Sequence, residues 1–128
     1  MKLLKLSFLL VLITFLSACS DDDDPVCLQS DWVGTYTGTI NCAGTTEDVE
    51  VVITAAGPDA VIINYDSDTM GSVYDPIIPN GCDIDLTDSD GTFTLIVDAF
   101  LDGDNLILRE DLGTTTATLT CNITATRN

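Results

Sequence analysis

The sequence predicts an all-β domain, an antiparallel up-and-down meander of about eight strands that closes into a small barrel. A β-sandwich is the alternative, and a signal-peptide helix is expected to precede the domain. Three observations predict this class: short β-branched and apolar runs recur from Val33 onward, many of them alternate apolar with polar residues, and Gly, Asp and Asn clusters separate them. The 45% apolar content of the 128 residues is enough for one folded domain.

The first 18 residues are predicted to be a secretory signal peptide. Lys2 and Lys5 give a positively charged start, residues 6–16 are largely apolar, and small residues follow at positions 17–19. This layout is typical of export signals, and the apolar stretch is too short to span a bilayer as a mature helix. A buried core helix is the alternative, but such a helix would not be apolar on every face in so small a chain.

The segment Leu16-Ser17-Ala18-Cys19 resembles the lipobox of bacterial lipoproteins, in which an aliphatic residue and two small residues precede a cysteine. The resemblance implies that the Cys19 sulfur receives a diacylglyceryl group and that cleavage leaves Cys19 as the acylated first residue. Acyl chains of the palmitate type would then hold the protein on a membrane, because each buried methylene contributes about 0.8 kcal/mol.

Residues 19–26 are predicted to be the acylated cysteine followed by an acidic tether. Four adjacent carboxylates, Asp21 to Asp24, repel each other and offer no apolar face, so this segment is expected to be extended and solvated. An acidic run directly after a lipobox resembles the export signal of surface lipoproteins in the Bacteroidota. The resemblance implies an outer-membrane lipoprotein exposed on the cell surface, with a periplasm-facing lipoprotein as the alternative.

The charge balance excludes several kinds of chemistry and partner. The chain has 21 acidic side chains, four basic ones and no histidine, for a formal net charge of −17. Without histidine there is no Ser-His-Asp triad and no His-ligated zinc or haem, and so negative a surface does not bind a nucleic-acid backbone. We therefore expect no cofactor, no metal site and no nucleic-acid partner. Anionic lipid would repel the domain, so only the lipid anchor would attach it to a membrane.

Residues 27–128 are predicted to be the β domain. In the last run, Leu119, Cys121 and Ile123 share one face, with Thr118 and Thr120 on the other. Connectors such as residues 56–59 and 102–105 have the composition of hairpin turns. The predicted strands are residues 33–42, 47–55, 60–65, 71–77, 82–86, 92–100, 105–110 and 114–127.

Four cysteines remain for the domain once Cys19 is assigned to lipid: Cys27, Cys42, Cys82 and Cys121. An even number in a small exported domain predicts two disulfides. A metal site is the weaker interpretation, because no pair has C-x-x-C spacing and histidine is absent. Three pairings remain open on spacing alone.

The segment Trp32-Val33-Gly34-Thr35-Tyr36, followed by a meander, resembles the Gly-x-Trp motif on the first strand of the lipocalins. In that family a basic residue of the last strand packs over the first-strand aromatic residue. The resemblance implies a barrel that its first and last strands close, with Trp32 and Arg127 as the closing pair through a cation–π contact. The chain departs from the family pattern, because Tyr36 holds the Gly-x-aromatic position and no C-terminal helix follows.

This closure favours one of the three disulfide pairings. If the first and last strands pair, Cys42 and Cys121 both point inward and would form one bridge. Cys27, just before the first strand, would then bridge to Cys82 near the same end. Each bridge would contribute about 2–4 kcal/mol to stability.

Two short patterns suggest sites outside the core. Asp85, Asp88 and Asp90 superficially resemble a calcium loop, but the spacing fails and Val97 stands where the bidentate glutamate belongs. Turn formation is therefore the preferred role of these residues.

Asp68-Thr69-Met70 resembles the O-glycosylation sequon of the Bacteroidota, which implies a glycan on Thr69.

The leading functional hypothesis is a non-enzymatic, lipid-anchored cell-envelope protein that serves as a surface binding or structural module. A carrier of a small apolar ligand is the alternative, and the choice depends on whether side chains fill the barrel interior. The partner is therefore either an unknown protein or a small apolar ligand. An enzyme acting on glycans through paired carboxylates is a remote alternative, for which only Asp83, Asp85 and Asp98 lie on predicted strands. No catalytic residue is assigned.

Overall fold

The computed structural model describes residues 26–128, which form one short helix and eight strands. The predicted signal peptide and the Cys19 attachment site lie outside these residues. The all-β class and the eight predicted strands are confirmed. The elements are α1 (Gln29–Trp32), β1 (Gly34–Cys42), β2 (Thr45–Ala56), β3 (Ala60–Ser67), β4 (Gly71–Val73), β5 (Asp83–Ser89), β6 (Thr94–Asp102), β7 (Asn105–Gly113) and β8 (Thr118–Arg127).

All eight strands belong to one antiparallel sheet, in the order β4-β3-β2-β1-β8-β7-β6-β5. The first and last strands pair as the sequence predicts, with Tyr36 opposite Arg127 and Cys42 opposite Cys121. Every pair of strands consecutive in the chain is also paired in the sheet, except β4 and β5, which are its two edges. The sheet is therefore a curled half-barrel whose seam lies between β4 and β5.

Glycine permits the tight curl between β1 and β8. A Cβ atom on Gly38 would overlap the backbone carbonyl oxygen of Thr124 and lie 2.5 Å from the Cα atom of Ala125. Real side chains do not approach a backbone so closely, so only glycine allows the two strands to coil together at this point.

The concave face of the sheet holds the hydrophobic core. Inward-facing positions alternate with exposed ones along each strand, as in β7, where Leu106 and Leu108 are fully buried and Ile107 between them is half exposed. The largest fully buried side chains are Trp32, Tyr36, Tyr65, Ile40, Ile53, Ile63, Ile84, Leu101, Leu106, Leu108, Ile123 and Val51. Side chains thus fill most of the interior.

Two disulfides are present, as the cysteine count predicts. They join Cys27 to Cys82 and Cys42 to Cys121, with Cα atoms 4.8 and 4.2 Å apart, the same pairs that the first-to-last strand closure favours. Sequence separations of 55 and 79 residues close long loops. In the chain-entropy account each bridge then stabilises the fold by about 4 kcal/mol.

The disulfides mark two unlike ends of the half-barrel. We call the end with α1, the start of β1 and the Cys27–Cys82 bridge the closed end. The end with the β1–β2 turn, the start of β8 and the Cys42–Cys121 bridge is the open end. Within residues 26–128 no helix has the length and apolar character needed to cross a membrane.

Candidate functional site

An aromatic and cationic cluster seals the closed end. The guanidinium carbon of Arg127 lies 5.2 Å from the ring centroid of Tyr36, and its Nη2 donates to the Tyr36 hydroxyl at 2.8 Å. The same guanidinium donates to the carbonyl oxygens of Asp31 and Val33. The Tyr36 hydroxyl in turn donates to the carbonyl oxygen of Trp32 at 2.9 Å. Burial raises the pKa of Tyr36 above its ordinary value, although Arg127 opposes that rise.

The aromatic partner of Arg127 is therefore Tyr36, which corrects the predicted pairing with Trp32. Trp32 ends α1 before the strand begins, and its fully buried indole donates its N–H to the carbonyl oxygen of Gly81 at 2.9 Å. Tyr36 lies on β1 directly opposite Arg127, at the Gly-x-aromatic position. The register of β1 against β8 therefore determines which aromatic ring the Arg127 guanidinium contacts.

The helix α1 is fixed to the closed end at several points. The Gln29 side-chain amide donates to the carbonyl oxygens of Gly57 and Ala60 at 2.9 and 2.7 Å, which ties α1 to the β2–β3 turn. Just before α1, Cys27 forms a disulfide with Cys82, the residue that precedes β5. The segment that enters the domain from the N-terminus therefore arrives at the closed end.

The open end carries a cavity of about 350 Å³. Several inward-facing side chains remain partly exposed here, and Leu95, Leu112 and Leu119 stand opposite one another across β6, β7 and β8. Leu112 is 41% exposed, although it occupies an inward position. Apolar side chains that are partly exposed to solvent around a concavity are typical of a binding site. The cavity is lined by Ile40, Cys42, Thr45, Glu47, Thr69, Met70 and Leu119.

One rim of the open-end cavity is held by hydrogen bonds to Glu47. The Thr69 hydroxyl donates to Glu47 Oε1 at 2.7 Å, and the Thr69 backbone N–H and the Ser67 hydroxyl donate to Oε2 at 3.1 Å. These bonds, that of the Thr69 hydroxyl foremost, lower the pKa of Glu47. Thr69 is exposed, as a glycosylation site must be, but its hydroxyl is already engaged.

A buried carboxylate that the sequence analysis missed lies in the interior. Glu110 of β7 is 5% exposed and accepts hydrogen bonds from the hydroxyls of Tyr65 at 3.1 Å and of Tyr74. Burial raises the pKa of both tyrosines above their ordinary value. Glu110 continues the inward alternation of Leu106 and Leu108, so period two could have placed it inside.

The three strand acids considered for catalysis lie on the outer surface. Asp83, Asp85 and Asp98 are all exposed, with Asp85 and Asp98 directly opposite each other on β5 and β6. None of the three lines the open-end cavity. Asp90 instead accepts hydrogen bonds from the backbone N–H groups of Thr92 and Phe93 at 2.8 and 2.7 Å, which is the expected turn-forming role.

Comparisons of the chain with protein-family models, with curated proteins and with solved structures found no match.

Proposed function

We propose that the protein is a non-enzymatic, lipid-anchored binding module of the bacterial outer membrane. In this proposal it is displayed on the cell surface and binds a small apolar ligand in the open-end cavity. The observation that carries the proposal is the contrast between the two ends. The closed end is sealed by α1 and the Arg127–Tyr36 pair, whereas the open end leaves partly exposed apolar side chains around a concavity.

The position of Cys27 supports an orientation for the module. Cys27 is fixed at the closed end through Cys82, and Cys19 precedes it by only eight residues. A fully extended tether of this length reaches roughly 26–29 Å. Acyl chains on Cys19 would therefore hold the closed end toward the membrane and direct the open end away from it.

The size and lining of the cavity indicate the class of ligand. A volume of about 350 Å³ lies near the lower limit for sites that hold small organic molecules. Ile40, Met70 and Leu119 offer apolar contacts, and the one carboxylate at the rim, Glu47, is already engaged by Thr69 and Ser67. This lining favours a compact apolar ligand over a charged one.

The extensively filled core favours a second candidate, a surface module that binds no small ligand. Fully buried side chains occupy the interior from Trp32 at the closed end to Ile40 toward the open end. A ligand would therefore occupy only the mouth of the half-barrel, and not a central cavity of the kind in which a carrier encloses its cargo.

A substitution that fills the cavity tests the ligand site. Thr45 lies exposed at the rim and lines the cavity, so Thr45→Phe should fill it without disturbing the core. We expect full-length protein with this change to lose at least tenfold in affinity for the hydrophobic fluorescent probe N-phenyl-1-naphthylamine. Thr46→Phe is the matched control, because Thr46 is also exposed but faces the outer surface, where Asn41 donates a hydrogen bond to it.

Native mass spectrometry of the same preparations gives an independent measurement. A small molecule that co-purifies with the unchanged protein and the Thr46→Phe variant, but not with Thr45→Phe, would support the ligand site. Equal probe affinity in both variants, with no co-purifying molecule, would favour the surface module without a small ligand.

A further inference from the structure

The two edges of the sheet border a second concavity. β4 pairs with β3 through only three residues, β5 pairs with β6, and no backbone hydrogen bond joins β4 to β5 among the described residues. A cavity of about 280 Å³ lies between them. We call it the seam slot, and it is lined by Ser72, Val73, Tyr74, Asp75, Leu86, Thr87, Asp88 and Leu95. It shares none of these residues with the lining of the open-end cavity.

The local sequence explains why the ladder stops at the seam. Pro76 has no N–H group to donate, and β4 ends at Val73. Tyr74 then turns inward, and its hydroxyl donates to the buried carboxylate of Glu110 on β7. The segment after β4 is thus held from inside the half-barrel and also by backbone hydrogen bonds to β3, where Tyr74 donates to Ile63 and Ile77 pairs with Val61. The edge of β5 has none of the described strands beside it, although its first residue, Asp83, exchanges two backbone hydrogen bonds with Asn80.

The seam slot has an apolar interior and acidic surroundings. Leu86 and Leu95 are only partly buried, and Val73 is 67% exposed. Along β5, inward Ile84 and Leu86 alternate with outward Asp83 and Asp85. The edge therefore presents one apolar face and one anionic face.

Nothing basic in the described domain neutralises these acids. Arg109 and Arg127 are its only basic side chains, and they form ion pairs with Asp111 and Asp104. Arg109 lies two strands away from β5, on β7. A second copy of the chain is a poor occupant, because pairing β5 with β5 would bring acidic side chains together. Charge complementarity therefore favours a basic partner.

We propose that the seam slot binds an extended, basic polypeptide segment of another protein by strand addition to β5. The backbone of the segment pairs with the edge of β5 from Asp85 onward, because the N–H and carbonyl groups of Asp83 are already bonded to Asn80. This pairing supplies affinity. Its apolar side chains enter the slot toward Leu86 and Leu95, and its alternate, basic side chains meet Asp83 and Asp85. The volume of about 280 Å³ accommodates a few side chains and lies below the usual size of a small-molecule site.

A synthetic peptide of seven residues that alternates lysine with valine is a suitable probe. Its affinity for the purified full-length protein is measured by calorimetry, alongside two forms in which one or the other alternate set of amides is N-methylated. Charge is the same in all three peptides, but a methylated amide cannot donate to the ladder. We expect methylation of one set to weaken binding at least tenfold, and bound peptide to slow hydrogen exchange in residues 85–89. Equal affinities for all three peptides would overturn the proposal.

Two double variants separate the seam slot from general electrostatic attraction. Asp83→Lys with Asp85→Lys should weaken binding of the unmodified peptide at least tenfold. Asp48→Lys with Asp66→Lys is the matched control, because it makes the same charge change at exposed positions on β2 and β3. It should weaken binding by less than threefold. Equal losses in the two double variants would show attraction to the acidic surface as a whole and would overturn the proposal.

Discussion

The three tyrosines of the chain all point into the half-barrel. Tyr36, Tyr65 and Tyr74 are at most 4% exposed, and each hydroxyl donates a hydrogen bond inside the protein. Burial raises the pKa of each phenol, since a phenolate would have to lose its water. In two cases the neighbouring Glu110 carboxylate raises the pKa further. The folded state therefore requires its tyrosines to be neutral.

Stability should accordingly fall when the pH rises above about 10, where tyrosines of the unfolded chain begin to ionise. The raised pKa keeps the folded-state phenols protonated, so their contribution is complete below pH 10 and is lost as the pH rises. Each tyrosine should lower the free energy of unfolding by up to about 1.4 kcal/mol per pH unit. The only lysines, Lys2 and Lys5, lie in the predicted signal peptide, so the domain has no other group titrating there.

Urea unfolding of the full chain between pH 8 and 11.5 measures this dependence. The Tyr74→Phe variant should lose at least one third of the slope, because it lacks one of three tyrosines and the pKa of Tyr36 rises against the opposing charge of Arg127. An unchanged free energy of unfolding up to pH 11.5 would contradict the prediction.

At the scale of elements, the β1–β2 hairpin has a two-residue turn in which both residues have positive φ. Ala43 has φ = 51° and Gly44 has φ = 86°, the combination of a type I′ turn. Glycine adopts this conformation freely, but alanine does so at a cost of roughly 1–2 kcal/mol. The turn lies at the open end, next to the Cys42–Cys121 bridge.

Replacing Ala43 with asparagine should stabilise the protein, because Asn-Gly is a preferred type I′ pair. We expect Ala43→Asn to raise the free energy of unfolding by about 1 kcal/mol in urea titrations. The opposite effect is expected of Gly44→Ala, which places a Cβ at positive φ. A loss of stability in Ala43→Asn would contradict the turn assignment.

The sequence predicted the strands better than it predicted their ends and their partners. Short β-branched and apolar runs between turn residues predict all eight strands, and many of these runs alternate because one face of the sheet is buried. The sequence pattern extends β4 to residue 77, whereas the strand ends at Val73. Beyond it the pairing with β3 becomes irregular around Pro76, and Ile77 pairs with Val61 as an isolated bridge.

The sites depend on contacts that local patterns do not contain. The Arg127–Tyr36 pair and the Tyr74–Glu110 hydrogen bond join residues 91 and 36 positions apart. The register of β1 against β8 and the turn of the chain after β4 determine these contacts, and neither follows from alternation. The cysteines were more predictable because only three pairings exist and strand closure favours one.

At the scale of the whole molecule, acidic side chains outnumber basic ones throughout, and neither end of the half-barrel is basic. A domain with this charge gains nothing from contact with anionic lipid. The proposed attachment therefore rests on the acyl chains of Cys19 alone, which makes it sensitive to a single substitution.

Cys19→Ser should abolish incorporation of an alkyne-labelled palmitate into the protein in a bacterial host, since serine cannot take the thioether-linked diacylglyceryl group. Ser20→Ala is the matched control and should keep the label. Label retained in Cys19→Ser would contradict lipid attachment at this residue, whatever the outcome for the open-end cavity or the seam slot.

The Cys27–Cys82 bridge also determines how mechanical load enters the domain. Tension on the segment before Cys27 is transmitted both along the chain to α1 and through the disulfide to Cys82, the residue that precedes β5. Without the bridge, the same tension would pass through α1 and peel β1 away from its neighbours, one hydrogen bond after another. With it, residues 28–81 lie inside a covalent loop and are shielded from the pull. In the proposed attachment through Cys19, the bridge therefore lies where tension from the anchor would enter the domain.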